Sequence, residues 1–153
     1  MNALENRILP PIVALAFAIS MWLAIFMFPQ LRADNSYNIS LAILFIFIGV
    51  AILCLGAATL RRSKTTTDPV HIDRATTLVT QGVFSYTRNP MYVGFTILLI
   101  GIAFYLSSWW LLVAPVFFAL FINRFQILPE ERVMSLKFGN DYSAYKSKVR
   151  RWF

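Results

Sequence analysis

The chain has one cysteine and one histidine among its 153 residues. A disulfide framework is therefore excluded, as are multi-thiolate and multi-histidine metal sites. Acidic side chains are also scarce, seven against fourteen basic ones. Long loops are missing too: apart from Thr65 to Thr80, no connector is long enough to build a soluble substrate pocket. Cys54 falls mid-helix and reads as a small packing residue. His71, in that one long loop, reads as a plain loop residue, with a proton shuttle as its rival.

What is present is apolar. Hydrophobic residues make up 58% of the chain and aromatic ones 16%, too much for a soluble protein of this length. We expect an all-α, polytopic membrane protein forming a single domain over residues 1–153. Ile8 to Phe28 is apolar apart from Ser20 and the Pro10-Pro11 pair, and as a helix it measures roughly 31 Å, enough for a bilayer core. A signal peptide is the rival reading, but no small-residue cleavage site follows. Ile39 to Leu60 is a second span after a polar connector, and Gly49 and Gly56 share one of its faces, suiting close helix contact. Met91 to Ile122 as one helix reaches roughly 48 Å, too long for one ordinary span. Ser107-Ser108-Trp109-Trp110 divides it, predicting a hairpin with arms near 91–106 and 109–128, Ser108 capping the second. Arg124 then belongs at the near interface or in a polar cavity. Short cytosolic amphipathic helices follow. One runs from Pro129 to Phe138 and stops at Gly139. Another is capped by Asn140 or Asp141 and carries Tyr142 and Tyr145 on one face.

The formal net charge is +7. In a soluble chain that suggests nucleic acid. Here topology explains it better and no nucleic-acid partner is expected: five basic residues lie from Arg61 to Arg88 and seven from Arg124 onward. The long loop, the tail and the N-terminus are therefore expected in the cytosol. The tail, Lys146 to Trp152-Phe153, reads as a basic, aromatic anchor on anionic headgroups. The lipid bilayer is the first partner; oligomeric state stays open.

Polar chemistry is concentrated in two places. In Thr80 to Gly94, Gly82 permits a sharp turn, Asn89 is biased out of the helical region, and Pro90 suits the first turn of a helix that Asn89 caps. Arg88, Asn89 and Tyr92 then gather at a helix N-terminus, where free N–H groups attract an anion. Pro129-Glu130-Glu131 repeats the proline start with two carboxylates. Both lie toward the same membrane face, as halves of one site. The plain alternatives are dipole compensation by the glutamates and lipid phosphate on Arg88.

The spacing resembles a known family. Leu78-Val79-Thr80-x-Gly82-x-Phe84-x-x-x-Arg88-Asn89-Pro90-Met91-Tyr92-x-Gly94 resembles the first signature of the membrane methyltransferases related to isoprenylcysteine carboxyl methyltransferase and phospholipid N-methyltransferase. Glu130-Glu131, followed by Phe138-Gly139-x-x-Tyr142-x-x-Tyr145-x-x-x-Val149, resembles their second. The resemblance covers about the C-terminal half, residues 78–153. It implies S-adenosyl-L-methionine as cofactor, bound by Arg88, Asn89, Pro90, Tyr92, Glu130 and Glu131. The prenylcysteine enzymes carry histidine where this chain has Asn89, and the asparagine form resembles the phospholipid branch. They also carry an arginine just before their glutamates; Gln126 stands nearest to that place here, and Arg124 is the closest basic residue. Arg124, Tyr92 and Glu130 are accordingly the catalytic candidates.

The cofactor's chemistry suits these residue types. Arg88 matches its carboxylate by charge and fork geometry. Glu130 or Glu131 suits its ammonium or hydroxyls, and Tyr92, Tyr142 and Tyr145 its adenine or the methyl path. Methyl transfer is an in-line displacement on an activated carbon, which asks mainly for alignment and exclusion of water. No metal is expected. The acceptor is expected to be a lipophilic or small molecule reached through the membrane, methylated on sulfur, oxygen or nitrogen. Phospholipid N-methylation is one alternative, and a non-catalytic assembly or lipid-binding protein another. A transporter is disfavoured by the lack of charge inside the first three spans. The expected location is a bacterial inner membrane, with the site on the cytosolic side.

Overall fold

A computed structural model describes residues 9–33, 38–63 and 76–152. His71 and most of the Thr65 to Thr80 loop lie outside the described residues. Those described form helices joined by turns, with no strand among them.

Helix α1 (Pro10–Met27) opens on its two prolines, whose missing N–H groups cost nothing in a first turn. A single 3₁₀ turn, Pro29–Leu31, follows. Helix α2 (Asn38–Arg62) runs two residues past the expected Leu60, taking in Arg61 and Arg62. Cations in a last turn complement the helix dipole, so the helix continues through them. Helix α3 (Pro90–Tyr105) begins at the expected proline. α1 and α2 are long and apolar enough to cross a membrane; α3 is shorter.

α2 and α3 lie backbone to backbone. A β-carbon at Gly49 stands 2.9 Å from the Gly94 carbonyl oxygen, and one at Gly101 2.8 Å from Ile46 Cγ1. Gly56 meets Met91 and Pro90. The shared face of Gly49 and Gly56 is therefore a seam with α3. On the other side, α1 and α3 enclose α4 (Val113–Ile122) in a core of Met21, Ile25, Leu99, Phe118 and Ile122. The Phe17 and Phe118 rings meet edge to face at 5.8 Å.

The hairpin turn lies where the serines predict it. Ser107 adopts a left-handed φ of 55°, and its carbonyl accepts from the Ala33 N–H at 2.7 Å, joining the two far turns. Ser108 holds the N-cap position without a side-chain bond, and a 3₁₀ turn, Trp109–Leu112, precedes α4. A regular α-helix thus starts later than expected.

One expectation is corrected. Pro129 opens no separate helix: α4 passes through a π-helical segment, Asn123–Ile127, straight into α5 (Leu128–Lys148). Proline removes a helical hydrogen bond, and a wider π turn lets the carbonyls before it change register without breaking the axis. The membrane-crossing arm ends in composition rather than geometry: residues 129–148 carry seven charged side chains. Gly139 provides the break, with φ 49° and ψ −117° inside α5. A β-carbon there meets nothing within 4 Å, so only the left-handed backbone calls for glycine.

Candidate active site

Gly82 turns the chain with φ 60° into a short 3₁₀ turn, Gly82–Ser85. The buried Thr87 hydroxyl accepts from the Asn89 N–H at 3.2 Å and donates to the Arg151 carbonyl at 3.1 Å. Asn89 occupies the N-cap position of α3, but its side chain forms no cap. Its amide donates to the Arg151 carbonyl at 2.9 Å instead. The buried Pro90 follows, and the first turn of α3 brings Tyr92 to α5.

The paired glutamates divide their partners. Adjacent helical residues are rotated by about 100°, so their carboxylates leave the axis in different directions. Glu130 is buried and accepts a short hydrogen bond from the Tyr92 hydroxyl. Burial pushes its carboxyl up to about 8; the Tyr92 bond pulls the other way, and the charge of Glu131 adds to the rise. Glu131 takes two guanidinium groups. Arg88 Nη2 donates to Oε1 at 2.7 Å. Arg151 Nε donates to Oε1 at 3.0 Å and its Nη2 to Oε2 at 2.7 Å. Burial raises the Glu131 carboxyl, but the Arg151 hydrogen bonds and the charges of Arg88, Arg151 and Lys146 outweigh it, so the net shift is downward.

After the Gly139 kink, α5 covers the cluster. The Tyr145 hydroxyl donates to the Phe84 carbonyl at 2.6 Å, pinning this piece to the turn before α3. Tyr142 and Tyr145 are both buried, with ring centres 6.2 Å apart. The Lys146 carbonyl faces Arg88 Nη1 at 3.5 Å, while the Lys146 ammonium lies over the Tyr142 ring at 5.8 Å. The chain then doubles back: the Arg88 N–H donates to the Arg150 carbonyl at 3.0 Å, and Trp152 packs on the apolar core.

Arg88 thus meets Glu131, Tyr92 meets Glu130 and Asn89 meets the Arg151 carbonyl, while Pro90 opens α3 and Tyr142 and Tyr145 pair on the last piece of α5. Arg124 is exposed, its guanidinium 5.5 Å from the centre of the Phe125 ring. Three participants escape sequence reading. Arg151 sits in a run of cations that reads as a headgroup anchor. Asn123, whose Oδ1 accepts from Arg151 Nη1 at 3.1 Å, looks like the polar end of a span. Thr87 looks like loop filler. The one available signal is Trp152, an apolar bulk beside those cations that asks to be buried.

The family profile described as phospholipid methyltransferase matches residues 37–141. A protein-S-isoprenylcysteine O-methyltransferase of Schizosaccharomyces pombe is 36% identical over 75 residues, which cover 47% of this chain and 30% of the yeast protein. A probable protein-S-isoprenylcysteine O-methyltransferase of Oryza sativa subsp. indica is 30% identical over 126 residues, 80% of this chain and 64% of the rice protein. The chain therefore spans less than two thirds of either relative. The solved structure of the eukaryotic intramembrane Ras methyltransferase, isoprenylcysteine carboxyl methyltransferase, superposes with a TM-score of 0.56 at 23% identity, covering 94% of this chain and 51% of that one. That likeness is one of fold, and it spans the two helices that the sequence signatures leave out. With a polytopic helical fold and a profile match over most of its length, the chain belongs to the phospholipid methyltransferase family of membrane proteins.

Proposed function

We propose that the protein transfers a methyl group from S-adenosyl-L-methionine to a lipophilic or small acceptor at the cytosolic membrane face. The observation that carries this reading is the meeting of Tyr92 with Glu130 and of Arg88 with Glu131, across 38 and 43 residues of chain. A helix dipole needs a glutamate in the first turn but no arginine from a distant part of the chain. A lipid-phosphate patch needs exposed cations, whereas the side chain of Arg88 is 9% exposed.

The residues fit the cofactor. Arg88 keeps its Nε buried and without a hydrogen-bond partner, a spare donor for a ligand carboxylate. Glu130 is a buried acid suited to a cationic ligand group, and Tyr92 orients it through the shared hydrogen bond. Tyr142 offers a ring face beside the cluster. When bound, S-adenosyl-L-methionine supplies a methyl group already activated by its sulfonium. The protein's tasks are to hold the carboxylate end through Arg88, to balance the cationic centre through Glu130, and to keep water out with Tyr92 and Tyr145.

The acceptor is read as membrane-partitioned. Below the turns, α4 presents Val116, Phe117 and Leu120 outward, and Phe121 and Phe125 pair at 4.7 Å just before the glutamates. This is an apolar approach from the bilayer side. The prenylcysteine names of the relatives and the phospholipid name of the family agree on an acceptor with a lipid body and a polar tip.

Titration calorimetry on detergent-purified protein tests the cofactor, with S-adenosyl-L-methionine and its demethylated product both expected to bind. A radiolabelled methyl donor, offered with a membrane lipid extract and separately with a cytosolic metabolite extract, tests the acceptor. Label is expected in lipid-soluble product. Label only in water-soluble product sinks lateral access and keeps the methyltransferase; no binding of either ligand sinks the reading.

A further inference from the structure

The Glu131 carboxylate is held twice, and unequally. Arg151 grips both oxygens in a fork, at 3.0 and 2.7 Å. Arg88 touches one of them, at 2.7 Å. Arg151 is itself fixed on three sides. Its Nη1 reaches Asn123 on the π segment at 3.1 Å, and its carbonyl accepts from Thr87 and from Asn89. Arg88 has the looser set: one oxygen of Glu131, a 3.5 Å approach to the Lys146 carbonyl, and a buried Nε with no partner. Of the two guanidinium groups, Arg88 is the one that can be reassigned.

A largely buried carboxylate stripped of its only cation is strongly unfavourable. If Arg88 were the sole partner of Glu131, drawing it toward a ligand carboxylate would expose that penalty. With Arg151 forked onto both oxygens, it does not arise. We propose that Arg151 is a positioning residue: it neutralises Glu131 from both oxygens, so that Arg88 is released to the carboxylate of the bound ligand. Resting on the cofactor reading above, this gives the segment after α5 a task beyond anchoring. It straps the start of α3 to the π segment and holds the counter-charge of the site.

The test is S-adenosyl-L-methionine binding by calorimetry to the full chain in detergent, for Arg151→Ala, Arg151→Lys, Glu131→Gln and the double variant Arg151→Ala/Glu131→Gln. Arg150→Ala is the charge control, because that residue contributes its backbone carbonyl and the substitution keeps it. Arg151→Ala is expected to weaken binding about tenfold or more, in the range of a lost charge-assisted fork. Arg151→Lys, which keeps the charge but not the planar fork, should fall between it and the wild type. Arg150→Ala should stay within about twofold, as an exposed charge does. The double variant should bind no more weakly than Glu131→Gln alone, since without the carboxylate the fork has nothing to neutralise. Millimolar guanidinium should restore binding to Arg151→Ala and leave that of Arg150→Ala unchanged. A purely structural strap predicts multiplying losses and no rescue, and that result overturns the proposal, as does Arg151→Ala binding within about twofold of wild type. If Arg151→Ala does not fold, Arg151→Lys against Glu131→Gln/Arg151→Lys carries the same comparison. Wild-type protein that fails to bind overturns the cofactor reading and this inference with it; normal wild-type binding beside an unaffected Arg151 variant overturns this inference alone.

Discussion

Two of the seams that hold helix α3 are built in opposite ways. Against α2 it is held by closeness: Gly49, Gly94 and Gly101 let two backbones touch, with no charge involved. At its first turn, against α5 and the segment after it, α3 is held by ions and polar bonds: Arg88 and Arg151 on Glu131, Tyr92 on Glu130, Asn89 on the Arg151 carbonyl. The first seam tolerates no added atom. The second tolerates exchange of partners, because a hydrogen bond to a carboxylate can be traded for one to a ligand. Under the proposal above, rigidity in one and reassignment in the other would let a small bundle hold the candidate site in a fixed place and still admit a ligand.

The largest expected effect breaks the first seam. In Gly94→Leu, the new β-carbon stands 2.8 Å from Leu53 Cγ and 3.0 Å from the Gly49 carbonyl oxygen. The nearest backbone atom cannot move aside as a side chain can, so a loss of about 3 kcal/mol is expected. Thermal unfolding in detergent measures it. Gly139→Ala sharpens the point: it meets no neighbour, so its cost comes from the backbone at φ 49° and ψ −117° alone, about 1–3 kcal/mol.

Next come the ionic partners. Arg88→Ala is expected to weaken S-adenosyl-L-methionine binding by about 2 kcal/mol, the scale of a charge-assisted contact in a partly desolvated place, whereas Glu131→Gln, which leaves Arg88 uncontested, is expected to weaken it less. Calorimetry on variants shown to be folded reads this. Equal, small effects from both would reduce the cluster to a fold-holding ion pair.

The two seams also differ in how far sequence exposes them. Gly49 and Gly56, seven apart in an apolar run, announce a helix contact, since spacing alone puts them on one face. Pro90 and the glutamates announce the polar cluster of the candidate site through local chemistry at helix starts. The continuity of α4 into α5 is hidden, because Pro129 is a legitimate helix opener and nothing local shows that a π turn absorbs its missing N–H. Arg151 is hidden for a different reason. Cations near a membrane have a generic use, and only tertiary contact separates the one forked onto Glu131 from its neighbour Arg150. The side-chain bond of Asn89 fails likewise: its position is local, but its partner lies 62 residues away.

A smaller effect separates the two glutamates by pH. Burial holds the Glu130 carboxyl near 8, so at neutral pH it carries a proton. The sign for folding follows: a raised carboxyl favours the folded state below its unfolded value, and that contribution is lost as pH rises through 8. For binding, a cationic ligand group lowers the same carboxyl, so S-adenosyl-L-methionine binding at pH 7 should release up to about one proton and tighten as pH rises toward 8. Glu131 runs the other way. Its carboxyl is lowered, so its contribution to stability is present above the unfolded value and lost as pH falls through the folded one. Calorimetry in buffers of different ionisation heat counts the proton. Release that survives Glu130→Gln would assign it elsewhere.

The smallest expected effect marks where the second seam ends. Lys146 sits close to it in two respects: its carbonyl faces Arg88 and its ammonium lies over the Tyr142 ring. Lys146→Ala keeps the carbonyl and removes only the ammonium. That ammonium is exposed, and its influence on Glu131 ranks behind those of Arg151 and Arg88. Solvent and salt screen a charge so placed, and an exposed cation on a ring is worth about 0.5–1 kcal/mol at most. The expected change in S-adenosyl-L-methionine affinity is therefore below about fivefold at 0.15 M salt, and smaller at higher salt. The comparison with Arg88→Ala at two salt concentrations is the decisive measurement. A Lys146 effect as large as that of Arg88, and equally insensitive to salt, would mean that the ammonium is enclosed with the ligand and that the polar seam includes the outer face of α5.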